Sequence, residues 1–315
     1  MKKVLITSRS FGKTSEKPIQ ILEEAGLDIT LLGSDFSEEK FKEIIQDYDA
    51  LIIGAHKFDV EDMKRCSKLK IICKHGAGLD NIYLDDAKEL GIVVTNVPAM
   101  NSNAVADLAF GHILNISRGI SISSEKVRNG EWKTYTGRDV YKKTLGLVGF
   151  GAIAKNVARR ANGFDMKVLA YDPFLKEVPD EFKDYVTLVD FNTIVKDSDF
   201  ISIHVPLTDE TKDLFNKETI LSMKEEAYLI NTGRGGIINE MELYECMVAG
   251  HLSGAALDVV EVEPINADNP LLKLENVVIT PHMGMYSLEA ISAVSIVCAE
   301  NVAKMLKGET PNYIV

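Results

Sequence analysis

Three residues in the second half of the chain have types suited to acid–base and anion chemistry: Arg234, Glu263 and His282. Each lies in a loop after a short apolar run of strand length, at 227–231 (AYLIN), 254–259 (GAALDV) and 277–280 (VVIT). Arg234, flanked by Gly233 and Gly235, can present a guanidinium fork to a carboxylate. His282 can deliver or remove a proton near neutral pH. A carboxylate at Glu263 beside that ring would orient it and favour the imidazolium. With a hydride carrier, these parts oxidise an alcohol that sits next to a carboxylate. Each residue also has a plain structural reading: a surface arginine, a solvated loop acid before Pro264, a satisfied histidine after Pro281. His204, at the end of the run 200–204, is the rival to His282; His56, His75, His112 and His251 lack such partners and strand position.

The hydride carrier has its own signature. The stretch 145–172 reads LGLVGFGAIAKNVARRANGFDMKVLAYD. An apolar run ends at Gly149; Gly151 and Ala154 follow at the spacing G-x-G-x-x-A; a helical pattern leads to a second apolar run ending at Asp172. This is strand, tight turn, helix, strand, acid, the unit that holds a dinucleotide. Gly149 permits the turn, Gly151 lets the backbone approach a pyrophosphate, and Ala154 lets helix pack on strand. The helix N-terminus at Ala152 and Ile153 offers free N–H groups and a positive dipole end. Asp172, 21 positions after Gly151, can accept from both ribose hydroxyls and would repel a 2′-phosphate, so the expected cofactor is NAD rather than NADP.

These loops need a sheet to bring them to one edge. Strand-like runs at 4–7, 27–32, 50–53, 70–73 and 92–96 alternate with helical segments at 19–25, 37–47, 60–68 and 83–90. The alternation implies a parallel sheet with helices on both faces. Residues 98–103 (PAMNSN) look like a hinge, followed by a long small-residue helix over 104–119. After Asp172 the rhythm resumes, and a terminal helix over 288–306 precedes PNYIV, a tail able to return to the first domain. Gly12-Lys13-Thr14 mimics the end of a phosphate-binding P-loop, but Thr7 stands where the motif needs glycine. Ligands in such sheets lie at the carboxyl ends of strands, which makes the glycine-bearing turn 74–81 (KHGAGLDN) a further candidate.

Composition narrows the class. The chain has 315 residues and a formal net charge of −12, ordinary for a soluble two-domain protein and contrary to nucleic acid or an anionic membrane as partner. No apolar run has the roughly 20 residues needed to span a bilayer. The start, MKKVLIT, reads as a first strand and not a signal peptide. Cys66, Cys73, Cys246 and Cys298 form no CxxC pair and are expected as buried free thiols of a cytoplasmic protein, with no metal site.

The chain resembles the D-2-hydroxyacid dehydrogenase family, in particular its phosphoglycerate dehydrogenase-like branch. The motifs that carry the likeness run nearly the whole length: GAGLDNI at 76–82, GIVVTNVP at 91–98, NSNAVAD at 101–107 and GLVGFGAIA at 146–154, then HVPLTDET at 204–211, NTGRGG at 231–236, ALDVVEVEP at 256–264 and TPHMG at 280–284. The resemblance implies two doubly wound parallel-sheet domains, a flavodoxin-like substrate domain (1–98 and 284–315) and a Rossmann-like NAD domain (99–283), with an interdomain cleft. It implies that Arg234 binds the substrate carboxylate and carbonyl, that His282 is the acid–base, and that Glu263 orients it. Asp258 would meet the nicotinamide carboxamide, with further cofactor contacts at His204, Pro206, Thr211 and Thr232. Backbone amides of Ala77 and Gly78 would hold the carboxylate of a small 2-hydroxy or 2-keto acid. A homodimer through the long first helix of the NAD domain is implied as well.

This sequence also departs from the family pattern. Met285 and Tyr286 are bulky where small residues are usual, and Gly54-Ala55-His56-Lys57 lacks the Arg-Ser pair of phosphoglycerate enzymes, with Lys57 or Lys74 as possible substitutes. No extension follows Val315, so regulation through an added domain is not expected. Two alternatives remain open: phosphoglycerate dehydrogenase proper or a glyoxylate/hydroxypyruvate reductase, and a non-enzymatic NAD(H)-sensing corepressor of the same fold.

Overall fold

A computed structural model describes residues 1–315. The chain divides into two compact units, residues 1–101 with 285–315, and residues 102–284. These borders lie three residues and one residue beyond the expected 98 and 283. The first border falls at Ser102, the first residue of the helix expected from residue 104.

The first unit alternates strand and helix along the chain: β1 (Lys3–Ile6), α1 (Lys17–Glu24), β2 (Asp28–Leu31), α2 (Glu38–Ile44), β3 (Ala50–Ile53), α3 (Val60–Arg65), β4 (Ile71–Lys74), α4 (Leu84–Glu89) and β5 (Val93–Thr95). All pairings are parallel, in the order β2-β1-β3-β4-β5. β3 is ALII and wholly buried, as a strand covered on both faces must be. Ser37 caps α2 by accepting from the Lys40 N–H. The order reverses direction at the β1/β3 boundary, where open sheets place ligands at the carboxyl edge.

The terminal helix of the chain, α11 (Leu288–Lys307), belongs to this unit and is capped by Ser287. Val294, Cys298, Ala299 and Val302 on one face pack with Val4, Ile6, Ile52 and Ile71. The helix stops at Gly308, whose φ of +87° suits a left-handed C-cap. Beyond it the tail returns to the edge of this sheet: Ile314 bridges Thr95 antiparallel, and the Val315 N–H donates to the Val94 carbonyl. All four cysteines are free and buried.

Behind β4, His75 is 4% exposed, with Nδ1 3.0 Å from Ser8 Oγ and Nε2 2.8 Å from Ser295 Oγ. Burial, with the Lys74 charge beside it, pushes the ring down to about 4. The unfolded value is about 6.5, so below it the unfolded chain takes a proton that the folded unit refuses. Stability contributed here is present above about pH 6.5 and falls as pH drops toward about 4, by a few kcal/mol. Urea melts across that range should show the loss, and His75→Gln should flatten it; an unchanged pH slope in that variant would remove His75 as a cause.

The second unit holds α5 (Ser102–Arg118), α6 (Ile120–Arg128), β6 (Thr144–Val148), α7 (Ala152–Asn162), β7 (Lys167–Tyr171), β8 (Val186–Leu188), α8 (Phe191–Asp197), β9 (Phe200–Ile203), α9 (Lys217–Leu221), β10 (Tyr228–Asn231), α10 (Glu240–Val248), β11 (Gly254–Leu257) and β12 (Val277–Ile279). Its seven strands are all parallel, in the order β12-β11-β10-β9-β6-β7-β8. Two buried clusters cover its two faces. Ala109, Phe110 and Ile113 of α5 pack with Ala154, Val157 and Ala158 of α7, and Leu229, Leu243 and Ile203 lie in the opposite cluster. α6 is an element the sequence reading missed. Gly119 stands between the helices with φ +60°, and the Tyr135 ring closes the space a side chain would need. A polar helix without a buried face gives no apolar period to read.

Candidate active site

In the second unit the loops after β6, β9, β10, β11 and β12 leave the same carboxyl edge, because all their strands are parallel. The direction of the strand order reverses between β6 and β9. Gly149, just after β6, has φ +90°, and a Cβ there would lie 2.9 Å from the His204 carbonyl oxygen after β9. Glycine is therefore required at the switch point on two counts, conformation and space. Gly151 is the N-cap of α7 with no side-chain cap, and the space beside it is open. The first N–H groups of α7, at Ala152 and Ile153, thus face an uncrowded site suited to an anion.

Asp172 follows β7. Its Oδ2 accepts from the Phe150 N–H at 2.9 Å and its Oδ1 from the Phe174 N–H at 3.0 Å. Each oxygen keeps acceptor capacity for a ribose hydroxyl while the backbone fixes the carboxylate. Thr211 braces the loop after β9, donating to the Pro206 carbonyl at 2.7 Å and accepting from the Thr208 N–H. His204 Nδ1 and Thr232 Oγ1, at the ends of neighbouring strands, are buried polar atoms without a protein partner. An open glycine cradle, a held acid and two unpaired polar atoms suit a dinucleotide. Like-charge contacts cost several kcal/mol. Asp172→Ser is therefore expected to narrow the preference for NADH over NADPH by roughly 10²-fold in kcat/KM. An unchanged ratio would show that Asp172 does not discriminate.

Arg234, Glu263 and His282 come together in this unit. His282 Nδ1 is 2.7 Å from Glu263 Oε2. Burial by itself would raise the Glu263 carboxyl. The His282 hydrogen bond and charge, the Val260 N–H and the Arg234 charge outweigh it and hold the carboxyl below its ordinary value. An ionised Glu263 only accepts, so Nδ1 carries the hydrogen and Nε2 is left for chemistry. The loop of Arg234 is tied by Asn231, which donates to the Arg234 carbonyl at 2.8 Å and accepts from the Gly233 N–H at 2.9 Å. Gly235 is needed because a Cβ there would overlap the Val260 carbonyl oxygen, which joins the Arg234 loop to the Glu263 loop. Glu263 precedes Pro264 in a cis peptide bond.

The other candidates separate. Glu261, the other acid in the Glu263 loop, instead pairs with the first turn of α10, where the Glu240 N–H donates to its carboxylate. His204 Nε2 sits 2.9 Å from Ser202 Oγ with no carboxylate, and burial pushes its ring down to about 3. It is neutral at ordinary pH and unsuited to the acid–base role. Asp258, 2% exposed, spends its carboxylate on Thr280 and on the Met283 and Gly284 N–H groups. Its Oδ2 keeps one acceptor position. This fastening of the His282 loop was invisible in the sequence, as was the part of His112, whose Nε2 lies 3.2 Å from Thr280 Oγ1.

Ala77 and Gly78 belong to the first unit, in the turn after β4 where Gly76 has φ +143°. There Lys74 Nζ donates to the Gly54 carbonyl at 2.7 Å and to Asn81 Oδ1 at 2.8 Å. His56 is wedged between Phe36 and Phe41 at centroid distances of 4.4 and 4.6 Å, and burial lowers its ring. Lys57 lies over the Tyr83 ring.

A doubly wound parallel sheet with a glycine cradle, a backbone-held acid after the second strand and a His–Glu pair at one edge suits a dinucleotide-dependent class of protein. The particular family follows from comparison. Residues 110–284 match the model of the D-isomer specific 2-hydroxyacid dehydrogenase NAD-binding domain. The chain is 38% identical over its whole length to D-3-phosphoglycerate dehydrogenase of Methanocaldococcus jannaschii, of which it spans 59%. It is 41% identical to hydroxypyruvate reductase of Thermotoga maritima, covering 89% of this chain and 92% of that one. The structure of the TT0316 protein from Thermus thermophilus superposes with a TM-score of 0.91 at 33% identity, over 99% of each chain. The chain belongs to the D-2-hydroxyacid dehydrogenase family, and its second unit is that family's NAD-binding domain. No helix is long and apolar enough to cross a membrane.

Proposed function

We propose that this protein interconverts a small D-2-hydroxy acid and its 2-keto acid with NAD. The observation that carries the reading is the 2.7 Å His282–Glu263 pair on the same sheet edge as the Gly149–Gly151 cradle. NAD, when bound, supplies the hydride acceptor or donor. The N-terminus of α7 and Asp172 would hold it, with His204, Pro206, Thr211, Thr232 and Asp258 along its length. Arg234 binds the substrate carboxylate and the keto oxygen, and steadies charge that develops there. His282 Nε2 gives a proton to that oxygen in reduction and takes it back in oxidation. Glu263 holds the ring at Nδ1 and stabilises the imidazolium.

Relatives named for phosphoglycerate and for hydroxypyruvate leave the side chain of the substrate to experiment. The test is NADH consumption with glyoxylate, hydroxypyruvate, pyruvate, a branched 2-keto acid and 3-phosphohydroxypyruvate. Turnover of any one supports the reading. NADH binding with no turnover of all five would overturn it in favour of a sensor.

We also propose a homodimer through the NAD unit. Ile120 and Val127 of α6 and the 91%-exposed Trp132 after it are large apolar side chains left exposed in this unit, as a subunit contact would use. Sedimentation should give twice the chain mass, and Trp132→Glu should lower it; a monomer at all concentrations would contradict this.

A further inference from the structure

His112 lies ten residues into α5, is 3% exposed, and takes no part in the chemistry proposed above. Its Nε2 meets Thr280 Oγ1 at 3.2 Å, and Thr280 Oγ1 donates to Asp258 Oδ1 at 2.6 Å. The direction of these bonds is determined. Asp258 Oδ1 also receives the Met283 N–H at 2.9 Å and Oδ2 the Gly284 N–H at 2.8 Å, so this carboxyl acts as an acceptor. A hydroxyl has one hydrogen, and Thr280 gives it to Asp258. Thr280 Oγ1 must then accept from His112, which fixes the ring hydrogen on Nε2. Burial lowers the His112 ring, in keeping with a neutral donor.

The chain His112→Thr280→Asp258 ends on the loop that carries His282. Asp258 grips that loop at four points: the Thr280 hydroxyl, the His282 N–H on its carbonyl at 2.9 Å, and the Met283 and Gly284 N–H groups. His282 itself stands at φ +49°, a left-handed conformation that a non-glycine residue holds only when its surroundings impose it. α5 adds a second support, since a Cβ on Gly284 would lie 3.3 Å from Val105 Cγ2.

We infer that His112 is a positioning residue for the reaction, acting through Thr280 and Asp258 to hold the His282 loop in its left-handed turn. The inference rests on the reading of His282 as the acid–base. Such supports typically change activity 10–100-fold when the groups they hold are released.

The test uses the full chain with NADH and glyoxylate or hydroxypyruvate, whichever turns over faster. His112→Leu and Thr280→Val should each lower kcat roughly 10-fold, with KM for both substrates within about two-fold. Thr280→Ser and His112→Gln keep a hydroxyl and a side-chain donor, and should recover most of the rate. The double variant should be no slower than Thr280→Val alone, because the two act in series. Independently of turnover, the ring ¹⁵N resonances of His282 should move in His112→Leu. Unchanged kcat and His282 resonances in a folded His112→Leu, or effects that simply add, would overturn the inference. His282→Ala separates the two readings. Full activity there removes the acid–base role, whereas moved His282 resonances in His112→Leu would still establish the hydrogen-bond chain.

Discussion

Replacing His282 by Ala is expected to lower kcat/KM for the 2-keto acid by roughly 10²–10⁴-fold, the range a positioned acid–base supplies. The affinity for NADH, read by fluorescence titration, should stay close to the parent's, because the cofactor cradle lies at Gly149–Asp172 and takes nothing from this ring. Glu263→Gln should cost less. Gln can still accept from Nδ1 but lacks the charge that stabilises an imidazolium, whereas the native carboxyl is held below its ordinary value by the same contact. The ordering His282→Ala below Glu263→Gln below parent is the signature of a base oriented by a carboxylate. Full activity in His282→Ala would end the assignment, with His204 no substitute, since its buried neutral ring has Ser202 in place of a carboxylate.

Arg234→Ala is expected to have an effect of similar size, distributed differently. A preorganised donor on developing oxyanion charge contributes roughly 10²–10³ in kcat. Arg234 would also bind the substrate carboxylate in the ground state, so KM should rise with the fall in kcat. Arg234→Lys should restore little, because a point charge does not reproduce the two parallel donors of a guanidinium. The loop should survive both changes: Asn231 ties it through backbone atoms, and Gly235 sets its approach to Val260. Unchanged KM and kcat in Arg234→Ala would place substrate binding elsewhere.

The fold was largely legible because strand runs such as ALII and FISI are short, mostly apolar, rich in isoleucine and bounded by turns, which is how parallel strands buried on both faces read. The cradle was legible because Gly149, Gly151 and Ala154 keep the spacing of a dinucleotide turn, although one demand on Gly149, the nearby His204 carbonyl, comes from outside the motif. Strand-end position placed Glu263 and His282 at one edge once the sheet was parallel, whereas the orienting role of Glu263 came from the family resemblance. What escaped has the opposite character. α6 carries no buried face and so no period. Asp258 read as a cofactor contact, but its carboxylate also binds the loop after the next strand, a contact set by three-dimensional register between β11 and β12. His112 lacks partners and strand position in the sequence because nothing within a few residues marks it; its partner Thr280 lies 168 positions away. Helical spacing assigns it to a buried face and does not name what that face touches.

In the proposed reaction a hydride passes between NAD and C2 of a 2-hydroxy acid. The most direct measurement uses NADH deuterated at the transferable position of the dihydronicotinamide, with whichever of hydroxypyruvate, pyruvate, the branched acid and 3-phosphohydroxypyruvate turns over best, since each gives a product chiral at C2. One deuterium should appear at C2 of the product for each NADH consumed, the product should have the D configuration, and His282→Ala should slow the transfer without changing where the label goes. NADH loss without label at C2, or an L product, would contradict it.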